Sequence, residues 1–173
     1  GGAAAAWPVV APGQQAAVPV IGYLGASSHS TSSPWTTAFV LRLRELGWIE
    51  GRTVAIVYRW AEGRSERFAE IAAEFVHLKV DVIVTAGAAI LAAKQATSVI
   101  PIVFAVAIDP LGSGFVGSLA RPGGNITGLS LQQTDLAGKR LELLREVVPG
   151  LRRLAVMANV GYPGAVSELD EVR

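Results

Sequence analysis

PIVFAVAIDPLGSGFVGSLARPGGNITGLS, residues 101–130, sets out a strand, a turn, a short apolar segment, a hard stop and a second strand in that order. Ile102 to Val106 is an apolar, β-branched run of the kind that forms a parallel strand buried on both faces. The run breaks at Asp109-Pro110. Ligands of open α/β sheets sit just outside the carboxyl ends of the strands, so Asp109 is a candidate ligand contact. Phe115 to Leu119 follows, Arg121-Pro122-Gly123-Gly124 stops the chain, and Ile126 to Leu129 reads as one more short strand.

Gly112, Gly114 and Gly117 in this stretch spell G-x-G-x-x-G, and Asp135 lies about 20 residues on, as the dinucleotide fingerprint asks. Three observations argue against that use. Asp109, Pro110 and Leu111 separate the strand from the first glycine, Pro122 leaves too little helix to carry a phosphate-binding dipole, and the strand is the fourth rather than the first. Small residues in a helix packed on a sheet explain the glycines instead.

Upstream, strand and helix patterns alternate. Val18 to Leu24 is the first strand, with Gly25-Ala26-Ser27-Ser28 as its carboxyl-end loop. Ser33-Pro34 offers an N-cap and an N1 proline for a helix burying Trp35, Ala38, Phe39, Leu43 and Leu46 and ending at Gly47. Ser27 and Ser28 can therefore bind a solute or simply serve the helix start. Thr53 to Arg59 is the second strand; Trp60 beyond it can stack on a ligand or pack. A helix from Arg64 to Lys79 buries Phe68, Ile71, Ala72, Phe75 and Val76.

The third strand, Val82 to Val84, ends in Thr85-Ala86-Gly87-Ala88, and a small-residue helix runs from Ala88 to Thr97. Gly87 lets the backbone approach a ligand, and the free N–H groups at the helix start by Ala88 can seat a carboxylate; a tight βα turn is the alternative. Downstream, Asp135 can cap a helix to Val148 that buries Leu136, Leu141, Leu144 and Val148. Leu154 to Met157 reads as a further strand, and Ser167 to Arg173 as part of a helix.

The composition narrows the function classes. A net charge of +1 with 17% charged residues gives no electrostatic case for nucleic acid. Without cysteine there is no thiolate metal site, disulfide or thiol nucleophile. The two histidines, His29 and His77, are far apart and no carboxylates cluster, so no catalytic set and no metal site emerges. His77 reads as a cation at a helix end, and His29 can touch a solute but has no partner in sequence.

The run D-P-x-x-x-G-x-V-x-S-L-x-R-P-G-G-N-x-T-G, Asp109 to Gly128, resembles the substrate-binding components of ABC transporters, in particular the group related to tryptophan- and tyrosine-binding proteins. Val20 to Gly25 (VIGYLG), Trp48 to Gly63 (WIEGRTVAIVYRWAEG), Lys139 to Pro149 and the AAAAWP leader are similar to that group as well. The resemblance implies a two-lobed periplasmic binding fold of type I that closes over a small solute without catalysis. It also implies ABC permease subunits as partners, no cofactor, and a monomer when complete. The family pattern Asn-Pro-x-Asn-Pro stands here as Asn159-Val160-Gly161-Tyr162-Pro163, so Asn159 is carried over as a ligand contact while Val160 and Tyr162 depart from the pattern.

The expected architecture is therefore α/β: a doubly wound parallel-sheet lobe over residues 18–131, then the incomplete start of a second α/β lobe over 132–173. Residues 1–17 are uncharged and Ala-rich, and Ala11-Pro12-Gly13 suits the end of an export signal; a flexible leader is the alternative. The expected function is extracytoplasmic, periplasmic binding of a small solute, with an aromatic amino acid favoured. Ser27, Ser28, Thr85, Gly87, Ala88, Asp109 and Asn159 are the candidate contacts. A ligand-sensing domain of a regulator shares this fold, and a nucleotide-binding oxidoreductase rests only on the glycine triplet.

Overall fold

A computed structural model describes residues 17–131 and 136–172. The expected leader, apart from its last residue, and the Asp135 cap lie outside the described residues. Five strands form one all-parallel sheet: β1 (Val20–Gly25), β2 (Ala55–Trp60), β3 (Val82–Thr85), β4 (Ile102–Ala107) and β5 (Ile126–Ser130), in spatial order β2-β1-β3-β4-β5. The helices connecting the first four are α1 (His29–Glu45), α2 (Arg67–His77) and α3 (Ala89–Ala96). All five expected strands of this unit are present, and the sheet is wound on both faces.

The larger core lies on the α2/α3 face. Phe68, Ile71, Ala72 and Phe75 of α2 and Ala89, Ile90 and Ala93 of α3 pack on Leu24, Ile83, Ile102 and Phe104. This is the apolar stripe that helical spacing predicts for α2. Close approach is built in: a Cβ on Gly22 would stand 2.7 Å from the Phe75 ring, so the strand must carry glycine where the helix descends. On the opposite face α1 packs over β2, β1 and β3, with Phe39 and Leu43 in one cluster with Ile21, Tyr23, Val54, Ile56, Val82 and Val84.

The second helix start signal in the Ser-rich loop is not the one used. Ser28, not Ser33, caps α1, its Oγ accepting from Thr31 N at 3.3 Å, and Pro34 falls inside the helix. Starting there, α1 turns Ser32 and Thr36 to the sheet and leaves Trp35 and Ala38 exposed; Leu46, also expected inside, is exposed beyond the helix. Thr36 tolerates burial because its hydroxyl donates to Ser32 O at 3.0 Å.

Strand β4 also departs from expectation. Ile102, Phe104 and Ala107 are buried, but Val103 and Ala105 are exposed, because no described helix covers the β4/β5 half of the α1 face. A bulge between Phe104 and Ala107 keeps those two on the same core although they are three apart. No helix follows β4: residues 111–120 are turns and bends, which removes the reading of Gly112, Gly114 and Gly117 as helix residues. Phe115 and Val116 nonetheless bury their side chains in the α2/α3 core.

The C-terminal segment holds α4 (Ala137–Val147) and α5 (Pro163–Asp170). They meet through an Arg140–Glu168 ion pair, and Leu141 and Leu144 of α4 stay only half-buried. Leu136 and Val148, expected inside, are exposed. The expected strand Leu154–Met157 forms no ladder among the described residues, and Met157 is fully exposed.

Candidate ligand-binding site

At the carboxyl ends of β1, β3 and β4, on the α1 face, lies a cavity of about 480 Å³. Gly25, Ala26 and Ser27 form one wall, Thr85 and Ala86 the floor, Ala105 and Val106 another wall, and Ser32 and Trp35 of α1 reach over it. This is where a parallel sheet offers its strand ends and βα loops to a ligand. None of the lining side chains is charged, so within the lining itself polar recognition falls to hydroxyls and backbone. Ser27 Oγ lies 2.8 Å from Ser32 Oγ, and Thr85 Oγ1, buried, donates to Leu24 O at 3.1 Å. The hydroxyl oxygen of Thr85 keeps its acceptor capacity.

Aromatic side chains shape the side toward β2. Tyr23 of the lining packs on Phe39, Tyr58 and Trp60 at centroid distances of 5.7, 5.7 and 5.4 Å, and His29 meets Trp60 edge-on at 5.5 Å. Trp60 stacks on Tyr58 and fills the space over Gly25, so it packs rather than lining the cavity. Burial, with Glu50 close by, pushes the Tyr58 phenol far up, keeping it neutral.

Of the seven residues singled out in sequence, the structure brings Ser27 and Thr85 to this cavity. Ser28 is occupied as the α1 cap, 2.9 Å from Thr31 Oγ1 and 3.0 Å from Ser30 Oγ. Gly87 adopts φ +60° and donates its N–H to Val106 O at 3.1 Å, while Ala88 begins α3 and packs toward the opposite core. Asp109 lies past the end of β4; its Oδ1 accepts from Gly112 N at 2.8 Å, folding the loop back on itself. Asn159 is exposed and its Oδ1 accepts from Gly161 N at 3.0 Å.

Sequence reasoning missed two residues. Trp35 was placed on the buried face of a helix started five residues late; with Ser28 as cap it stands 68% exposed at the cavity. Tyr162 stands out in the sequence only as a departure from the family pattern. It is buried, and its hydroxyl accepts the Ile108 N–H at 3.0 Å across 54 residues of chain. Burial pushes this phenol up, the Ile108 N–H works the other way, and the Asp109 charge adds to the rise.

The glycine triplet serves another purpose than phosphate binding. Lys94 of α3 places its ammonium on the carbonyls of Gly114 and Phe115. The loop thus turns carbonyl oxygens toward a cation where a phosphate would need N–H groups. The R-P-G-G-N-x-T-G run is also structural. Asn125 Nδ2 donates to Ile100 O at 2.7 Å and Thr97 O at 3.2 Å, at the end of the sheet opposite the cavity. Gly128 must be glycine, since a Cβ there would stand 2.1 Å from Phe104 O.

A family model for ABC transporter substrate binding proteins matches residues 28–173. The tyrosine-binding protein of Clostridioides difficile (strain R20291) is 28% identical over 153 residues, covering 88% of this chain and 44% of that protein. A solved conserved domain protein from Vibrio cholerae O1 biovar El Tor superposes with a TM-score of 0.78 at 30% identity, over 90% of this chain and 52% of the other. A solved ABC domain in complex with L-Trp from Streptococcus pneumonia gives 0.76 at 25% identity, over 89% and 52%. The chain spans about half the length of these relatives. It belongs to the family of ABC transporter substrate binding proteins.

Proposed function

We propose that this chain is part of an extracytoplasmic solute receptor of an ABC importer, binding an amino acid of the aromatic class without chemical turnover. The observation that carries the reading is the uncharged cavity at the ends of β1, β3 and β4, with Tyr23 and Trp35 beside the hydroxyls of Ser27, Ser32 and Thr85. Its volume of about 480 Å³ falls within the range of small-molecule sites. A relative bound to L-Trp and another called a tyrosine-binding protein agree with an aromatic side chain resting on such a wall.

In this reading the Ser27 hydroxyl and the backbone N–H groups at the start of α3, by Ala88, receive the carboxylate; the Thr85 hydroxyl hydrogen and the Gly87 N–H are already given to Leu24 O and Val106 O, so the Thr85 oxygen serves as an acceptor. Asp109 receives the ammonium through Oδ2, its Oδ1 already being held by Gly112. Such a charge-assisted pair contributes about 1.5–3 kcal/mol when partly buried. In this reading residues 18–131 are one lobe and residues from 132 onward begin the second, with Tyr162 and Ala165 reaching back to the core of the first, and Asn159 belongs to the second lobe's side of the cleft. Binding and release then deliver the solute to permease subunits from the periplasmic side, with the receptor working as a monomer. Among the described residues no helix is long and apolar enough to cross a membrane.

A thermal-shift panel of amino acids, organic acids, sugars and NAD tests the reading. A ligand at 100 times its dissociation constant adds about 2.7 kcal/mol of stability. Stabilisation by L-tyrosine or L-tryptophan and not by NAD is expected. Stabilisation by NAD or a sugar alone would replace it.

A further inference from the structure

Just past β4 the Tyr162 hydroxyl receives the Ile108 N–H at 3.0 Å. The Asn159 turn aims the tyrosine: Tyr162 N donates to Asn159 O at 3.0 Å, and Gly161 N to Asn159 Oδ1 at 3.0 Å. The start of α5 follows it in, where a Cβ on Gly164 would lie 3.1 Å from Ile108 Cβ and 3.4 Å from Asp109 N. Pinning Ile108 fixes the peptide that leads into Asp109. From there a compact turn is wound, with Gly112 N on Asp109 Oδ1 at 2.8 Å and Ser113 N on Asp109 O at 3.1 Å.

We propose that Tyr162 is the positioning residue of the ligand site, acting through the Ile108–Asp109 backbone to hold the Asp109 carboxylate in place. This rests on the assignment of Asp109 to a ligand ammonium made above. Tyr162 itself needs no contact with the ligand. Its phenol accepts the part-buried Ile108 N–H, beside the bonds that Gly87 N and Leu131 N give to Val106 O and Ala107 O, and a part-buried N–H left without a partner would pull the backbone toward water. The ring is anchored in the same core as Phe115, so the loop between Asp109 and Phe115 is fixed at both ends.

The test is Tyr162→Phe, which keeps the ring and removes only the acceptor, in two measurements on the full chain. In the first, amide hydrogen exchange is followed at Ile108 and Gly112, with Ile83 and Phe104 reporting on the sheet. A tenfold or greater acceleration at both Ile108 and Gly112, with the sheet unchanged, is expected. Acceleration at Ile108 alone, or loss of the whole fold, would overturn the proposal, since Tyr162 would then not govern Asp109 or would be a core residue only. In the second, dissociation constants are compared for L-tyrosine and 3-(4-hydroxyphenyl)propanoate, which lacks the ammonium. The preference for L-tyrosine should fall at least fivefold in the variant, whereas equal weakening of both ligands would contradict the proposal. If the unaltered chain binds neither compound, the amino-acid reading fails, and the exchange measurement alone still decides the role of Tyr162.

Discussion

Trp60 lies so close over Gly25 that a Cβ on the glycine would stand 2.1 Å from the indole Cε3. Two motifs far apart in sequence, the end of VIGYLG and the start of WAEG, are thus one packing unit at the edge of the sheet. The main chain continues the contact, with Ala61 N donating to Gly25 O at 2.8 Å and Gly63 N to Ala26 O at 3.0 Å. Gly25 and Ala26 also line the cavity, so the indole sets the position of a cavity wall without touching its interior.

Gly25→Ala should therefore cost about 1–3 kcal/mol, the usual range for overfilling a packed site. The indole is wedged among Tyr23, Tyr58 and His29 and cannot swing aside freely. Urea denaturation reads the loss. Adding Trp60→Ala to Gly25→Ala should cost less than the sum of the two single changes, because the clash is gone.

Asn125→Ala should lower stability by about 1–3 kcal/mol while leaving ligand affinity unchanged. It strips two carbonyls, Thr97 O and Ile100 O, of their side-chain donor at the far end of the sheet. Thermal unfolding and ligand titration on the same sample separate the two effects.

Acid should weaken the attachment of α2 to β2. Arg59 bonds both carboxylate oxygens of Glu74, with Nη2 at 2.6 Å and Nε at 3.0 Å, and the hydrogen bond holds the Glu74 carboxyl below its ordinary range. A carboxyl depressed in the folded state stabilises above its unfolded value, near about 4.3, and loses that contribution as pH falls through the folded value. With both side chains 39% exposed the effect is under about 1 kcal/mol. Glu74→Gln should therefore lower stability by under about 1 kcal/mol above about pH 4.3, and the difference from the unaltered chain should vanish as pH falls through the folded value.

The sheet was legible because its strands are short β-branched runs closed by turn residues, and α2 because Phe68, Ile71, Ala72 and Phe75 repeat at helical spacing. The start of α1 was not, since Ser28 and Ser33 are both acceptable caps and Pro34 favours the later one locally. Tertiary contact favours the earlier cap, which brings Ser32 and Thr36 to the sheet and frees Trp35. The exposed face of β4 could not be read either, as periodicity reports apolar character and not whether a helix arrives to cover it. Three of the seven candidates, Ser28, Asp109 and Asn159, are polar loop residues that hold their own turns, a use that sequence alone does not separate from ligand contact. Tyr162 reaches Ile108 across 54 positions, and no local pattern announces such a bond.

Trp35→Ala should leave stability nearly unchanged, because the side chain is 68% exposed. It should weaken an aromatic ligand about tenfold relative to an aliphatic one of similar size, if the indole forms the wall against which the ligand ring rests. Competition between L-tyrosine and L-leucine checks the ratio.

The most direct test of where the ligand sits is amide chemical-shift mapping by NMR, with L-tyrosine or L-tryptophan titrated into the chain to millimolar concentration. The account predicts saturable shifts clustered at Ser27, Thr85, Gly87 and Ala88, extending to Asp109, with Asn125 unmoved. Shifts confined to Gly112–Gly117 or to the far end of the sheet, or none at any concentration, would contradict it.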